Sequence, residues 1–219
     1  MTMNSRPIIA ITGGIGSGKS VVSKLLRVMG QTVYDCDERA RWVMTHDALL
    51  RQQLVELFGA ETYLPQATLN KPYLSAQIFG HPEALAQMNA CVHPAVARDL
   101  MSQYEAMADG NCQGERIEKN SAKPFFFESA ILFESGFDKL VPPTDVWMVS
   151  APLELRIERA MLRDHANRER VLERIGAQMS QEEKECRSDH IIYNDAEHSL
   201  IAQVNHLLLC LQKKNANRS

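Results

Sequence analysis

A glycine run ending in lysine and serine stands near the start of the chain: Gly13-Gly14-Ile15-Gly16-Ser17-Gly18-Lys19-Ser20. It matches G-x-x-x-x-G-K-[ST], the spelling of a loop that binds nucleotide phosphates. Glycines let the backbone turn tightly, so that successive N–H groups aim at one anion. The backbone of Gly14, Ile15, Gly16, Ser17, Gly18, Lys19, Ser20 and Val21 is therefore expected to cradle phosphate. Lys19 would reach the β- and γ-phosphates and the Ser20 hydroxyl would ligate Mg²⁺. As a loop residue, Lys19 is expected to be exposed and to add little to a core.

The loop needs a strand before it and a helix after it, and both are written in the sequence. Ile8 to Ile11 form a short β-branched run, and Val21-Val22-Ser23-Lys24-Leu25-Leu26 has helical character. The helix also presents its positive dipole end to the anion. Gly30 is a plausible stop. Val33 and Tyr34 read as a second strand with Asp35 and Asp37 at its carboxyl end, where ligands collect in open α/β sheets. Two carboxylates there suit a base or a metal-linked group. An acidic turn capping the next helix explains Asp37 equally well.

Residues 44–110 change character. Leu49, Leu50, Leu54, Leu57 and Phe58 recur at helix spacing, and no strong strand appears. Gly59, Pro65, Pro72, Pro82 and Pro94 should divide the stretch into short helices. Pro94 is expected at the first position of the last one. His93 before it could touch a phosphate or simply be half-buried. Residues 109–123 are polar and expected to form a mobile loop.

Pro124-Phe125-Phe126-Phe127-Glu128 reads as the third strand, ending in an acid suited to magnesium or its water. A further apolar run, Ala130 to Phe133, ends at Glu134. Val146 to Ser150 is the fourth strand, and Pro152 opens a helix with Arg156, Arg159 and Arg163 on one face. Ser180 to Glu183 has capping-box spacing. His190 to Asn194 is the fifth strand, and a last helix covers about residues 198–212. Alternating strands and helices imply a mostly parallel, doubly wound sheet.

Arginines between 156 and 174 alternate with glutamates, as on a solvated, salt-bridged surface. Beside a phosphate loop they gain a second reading. Phosphoryl transfer needs cations at the migrating group, and guanidinium binds phosphate oxygens in a bidentate fork. A lid at 161–175 carrying catalytic arginines is the better fit. A GTPase-type switch competes with a kinase, but D-x-x-G is absent and Asn70-Lys71-Pro72-Tyr73 lacks the aspartate of N-K-x-D.

The chain of 219 residues carries net charge −3, 45% apolar and 23% charged residues. That is room for one α/β core and an appendage, with no basic excess to attract nucleic acid. The five cysteines, Cys36, Cys91, Cys112, Cys186 and Cys210, are scattered and form no C-x-x-C pair, as in a reducing cytosol. No signal peptide or membrane-length apolar run is visible. The oligomeric state is left open, and a monomer is plausible.

From Ile9 to about Val204 the residues resemble the dephospho-CoA kinase family. The resemblance rests on Thr12 to Ser20, Asp35-Cys36-Asp37, Ala40-Arg41, Leu69-Asn70-Lys71, Ile78-Phe79 and His93-Pro94. Leu132-Phe133-Glu134, Arg159, Arg163, Arg168, Gln178, Asp189 and Asn194 complete it. It implies a P-loop NTP hydrolase-type α/β core with a five-stranded parallel sheet, spanning residues 1–43, 111–160 and 176–219. The helical insertion at 44–110 would bind the CoA precursor. ATP with Mg²⁺ would phosphorylate the ribose 3′-hydroxyl of dephospho-CoA. Asp37 would orient or accept the hydroxyl proton, with Lys19, Arg163 and Arg168 completing the catalytic set. Asp35, Asp37, Arg41, Lys71 and His93 would hold the acceptor, and Asp189 to Asn194 would lie near adenine. Ser20 and Glu128 would serve the metal. Against the usual family pattern, Val21, Glu128, Ala130 and Lys71 replace Thr or Ala, Asp, Pro and Arg.

Overall fold

The computed structural model describes residues 6–108 and 123–216. Most of the expected polar loop, residues 109–122, lies outside the described residues, as do Cys112 and the chain ends 1–5 and 217–219. The chain divides into two compact units, Met1–Asp35 with Ala106–Ser219, and Cys36–Glu105.

In the first unit, β1 (Ile8–Thr12), β2 (Thr32–Asp35), β3 (Phe125–Glu128), β4 (Asp145–Ser150) and β5 (His190–Tyr193) form one sheet. Its order is β2-β3-β1-β4-β5, and every pairing is parallel. The period-2 alternation of side chains sorts the sheet into two apolar faces. Ile9, Ile11, Val33, Phe126, Trp147, Val149 and Ile192 form one face, packed on Val22 and Leu26 of α1 (Lys19–Val28) and on Val204, Leu207 and Leu211 of α10 (Leu200–Ala216). On the other face Phe127 meets Phe137 of α6 (Phe137–Leu140) edge-on at 5.8 Å. Both faces are covered, which is why the strands read as continuous apolar runs. Gly30 follows α1 with φ 75°, so the expected stop is where the chain turns. The apolar run 130–133 is turn, not strand; Leu132 and Phe133 are buried there without joining the ladder.

The second unit is helical: α2 (Cys36–His46), α3 (Ala48–Phe58), α4 (Lys71–Ile78) and α5 (Pro82–Ala108). Its start at Cys36 precedes the composition change at 44, and α2 packs on α3. Asp47 caps α3 through Leu50 N at 2.9 Å and Asn70 caps α4 through Tyr73 N at 3.4 Å. Leu50, Leu54, Leu74, Val92, Val96 and Leu100 are buried. Arg39 of α2 forks onto Asp99 of α5 at 2.6 and 2.9 Å. Tyr63 donates to Met44 O at 2.6 Å, and burial pushes its phenol up to about 12.

One expectation fails in this unit. Pro94 does not open a helix; α5 runs unbroken for 27 residues from Pro82, with Pro94 inside it. Pro82 takes the first position instead. A proline interior to a helix removes one backbone bond and is disfavoured by propensity. Buried Val92, Ala95, Val96 and Leu100 around it keep the helix continuous through packing.

Candidate active site

The phosphate loop joins β1 to α1, between the two neighbours of β1, at the sheet's carboxyl edge. Gly16 and Gly18 have φ 74° and 96°, which L side chains avoid. Space forbids a side chain as well. A Cβ on Gly16 would strike the Arg156 backbone, and one on Gly18 the Asn194 amide. Gly18 is also the N-cap of α1 and offers no side-chain acceptor to the helix's first turn. The positive end of α1 is thus open to an anion.

Lys19 departs from the expected exposed loop lysine. It is 9% exposed, and its ammonium donates to Gly13 O at 2.9 Å and Gly14 O at 3.2 Å. Ser20 and Val21 are exposed at the start of α1. Ser23, one turn further, is buried and donates to Glu128 Oε2 at 2.6 Å. Glu128 ends β3 and is in register with Asp35 of β2 on one side and Ile11 of β1 on the other. Two carboxylates therefore stand on adjacent strands beside the loop. Among the described residues no group of three or more His, Cys, Asp or Glu could hold a metal. Magnesium does not require one: it keeps several waters and takes one or two carboxylates plus phosphate oxygens. The Glu128 carboxylate and Ser20 hydroxyl fit that sparse demand.

The loop is clamped by side chains from distant positions. Arg156 of α7 (Leu153–Asp164) is buried, donates from Nε to Ile15 O at 3.0 Å and from Nη1 to Gln181 Oε1 at 2.9 Å. Burial lowers its pKa and the nearby Glu182 carboxylate opposes that shift. Gln178 Oε1 accepts from Ile15 N at 2.9 Å. Asn194 is buried just past β5 and donates from Nδ2 to Ser17 O at 2.8 Å. Asp189 receives Val146 N at 2.8 Å, tying β5 to β4. Arg156 was legible only as one member of an arginine face. Its burial separates it from Arg163.

The segment expected to form a lid consists of the end of α7, a turn at His165 with φ 50°, and α8 (Arg168–Gly176), capped by Asn167. Ile157, Ala160 and Val171 form its apolar seam, with Ile15 of the phosphate loop packed against it. Three of its arginines are held by carboxylates. Arg168 forks onto Glu154 at 2.8 and 2.8 Å. Arg163 forks onto Asp164 at 2.7 and 2.9 Å, and Arg174 reaches the same carboxylate at 2.6 Å. These two guanidinium groups hold Asp164 far below the usual carboxylate range. Arg163 and Arg168 are raised by their partners' hydrogen bonds.

The second unit holds the other expected residues. Asp37 and Arg41 are exposed and four residues apart on α2, hence on one face. Because α2 begins at Cys36, Asp37 sits inside its first turn, where a carboxylate complements the dipole. Lys71 is exposed at the start of α4. His93 is half-buried in α5, and desolvation lowers its pKa, so it is neutral near pH 7.

A parallel sheet with a phosphate loop after its first strand, an open helix end and arginine-bearing helices beyond the fourth strand defines an ATP-dependent kinase of the P-loop class. Residues 7–199 match the family model described as dephospho-CoA kinase (CoaE). The chain is 42% identical over 206 residues to the dephospho-CoA kinase of Bacteroides fragilis, covering 94% of this chain and 93% of that one. A crystal structure from Thermus thermophilus superposes with TM-score 0.76 at 33% identity, covering 94% and 97%. Dephospho-CoA kinase from Campylobacter jejuni shares the fold at TM-score 0.66 and 23% identity, covering 95% and 98%. The chain belongs to the dephospho-CoA kinase family.

Proposed function

We propose that this chain transfers the γ-phosphate of ATP, with Mg²⁺, to the ribose 3′-hydroxyl of dephospho-CoA, giving coenzyme A and ADP. The observation that carries this reading is the N-terminus of α1, to which Gly18 gives no side-chain cap, with the Lys19 ammonium folded back onto Gly13 O and Gly14 O of the same loop. Lys19 exchanges its two carbonyl partners for β- and γ-phosphate oxygens when ATP enters. Magnesium, held through Ser20 and Glu128, would supply charge neutralisation at the phosphates. Arg163 and Arg168 leave their carboxylates for the migrating phosphoryl group, and the lid then excludes water that would hydrolyse ATP. Asn194 supports the loop next to the region assigned to adenine.

Asp37 orients the 3′-hydroxyl and takes its proton as the bond to phosphorus forms. Because the transition state is loose, positioning outweighs early proton removal. Asp35, Arg41, Lys71 and His93 bind the acceptor; a neutral His93 contributes a hydrogen bond, not a charge. Net charge −3 gives no global reason to expect nucleic acid as a partner. No helix among the described residues is long and apolar enough to cross a membrane, and the scattered cysteines suit a cytoplasmic location.

Asp37→Asn tests the assignment. Its kcat should fall by about 10²–10⁴-fold, the range for a lost general base, while ATP affinity holds. Unchanged turnover would leave Asp37 as a helix-dipole residue only.

A further inference from the structure

We propose that Gln178 is a positioning residue for phosphoryl transfer, acting through Ile15 to tie the phosphate loop to both roots of the lid. The proposal rests on the kinase reading above. Ile15 is gripped at three points. Its N–H donates to Gln178 Oε1 at 2.9 Å, its carbonyl accepts from Arg156 Nε at 3.0 Å, and its side chain packs on Ile157, Ala160 and Val171. Arg156 precedes the lid segment 161–175 and Gln178 follows it. Both ends of the lid are therefore pinned to a single residue of the loop expected to hold phosphate, through the two peptide groups that flank it.

The contact is not owed to the helix Gln178 follows. Its backbone N–H already closes that end on Ile175 O at 3.1 Å, leaving the side-chain oxygen for Ile15. On the opposite side Arg156 is itself fixed by Gln181, whose amide donates to Ser150 Oγ at 2.9 Å at the end of β4. Ile15 thus sits between a partner anchored to the sheet and one carried by the lid's exit. When Arg163 and Arg168 approach the phosphoryl group, the distance they must span is set from Ile15. A single neutral hydrogen bond adds little to stability. A misplacement of about 1 Å at the reacting group can cost 10²-fold in rate. Loss of Gln178 should therefore register in turnover far more than in folding.

The test compares Gln178→Met, of similar length without the amide oxygen, with Gln178→Glu, which keeps an oxygen in place. With ATP, Mg²⁺ and dephospho-CoA, Gln178→Met should lose about 10- to 100-fold in kcat with KM for ATP nearly unchanged. Its Tm should move by no more than about 2–4 °C. Gln178→Glu should recover most of kcat, while its added charge raises KM for ATP. Wild-type kcat in Gln178→Met, or a glutamate variant as slow as the methionine one, would overturn the proposal. A second readout needs no acceptor: tryptic cleavage after Arg168, Arg170 and Arg174, with and without a non-hydrolysable ATP analogue. The analogue should protect the wild-type lid and fail to protect Gln178→Met at saturation. Equal protection in both would overturn the positioning role. Protection lost in the variant, alongside a wild type that phosphorylates no dephospho-CoA, would instead refute the acceptor and leave the tether standing.

Discussion

Lys19 folds its ammonium back onto two carbonyls of its own loop, Gly13 O and Gly14 O. Its motif position was legible in the sequence, because the spelling of the loop is local. Its burial was not, because that depends on how six residues of backbone curl around the ammonium. His93 is the second residue whose chemistry depends on its surroundings. Half-buried in α5, it resists protonation. The folded chain then binds its proton at lower pH than the unfolded chain, whose histidine titrates near 6.5. Stability from this site is complete above that value and declines as pH falls below it. His93→Gln removes the titration. Between about pH 7.5 and about pH 5.5, urea unfolding should show wild type losing more stability than His93→Gln. Parallel losses would mean the histidine is not held neutral.

Elements carry a different kind of information. The strands were readable because each is a short apolar run bounded by polar turns, and because covering both faces leaves little choice of partner. Helix α5 was misread at Pro94, since propensity spoke for a start and tertiary packing overruled it. That disagreement has a measurable size. Pro94→Ala restores a backbone donor inside the helix and should raise stability by about 1–3 kcal/mol. A lower unfolding midpoint would show that the helix needs the proline's shape where it packs. At the lid, the pattern of alternating charges left two readings open, and the geometry contains both: Arg163 and Arg168 are salt-bridged now and placed on the segment expected to move. In the proposed transfer, phosphate competes with Glu154 for Arg168. Glu154→Gln removes the competitor, so KM for ATP should fall, by less than about fivefold because the pair is solvent-exposed. Added salt should narrow the difference between the two proteins. A raised KM would mean that the pair helps ATP bind.

Across the whole molecule, a local motif and long-range clamps meet at one loop. The glycines that shape it are contiguous in the chain; Arg156, Gln178 and Asn194, which hold it, come from after the fourth strand. Sequence reading finds the first kind readily. The second kind emerges only when the parallel crossovers bring the ends of β1, β4 and β5 side by side. Gln178 and Asn194 were visible as members of a family pattern, yet their contacts to Ile15 and Ser17 were not deducible from spacing. The same applies to Ser23, whose bond to Glu128 fixes a carboxylate beside the expected metal.

The proposed transfer has one acceptor, dephospho-CoA. The most direct measurement is ADP release from ATP and Mg²⁺ with dephospho-CoA, adenosine or AMP as acceptor, with every product weighed by mass spectrometry. ADP release should depend on dephospho-CoA, with one added phosphate on that compound and none on the others. ADP released at the same rate whatever the acceptor, with no phosphorylated product, would make the protein a hydrolase and contradict the proposed transfer.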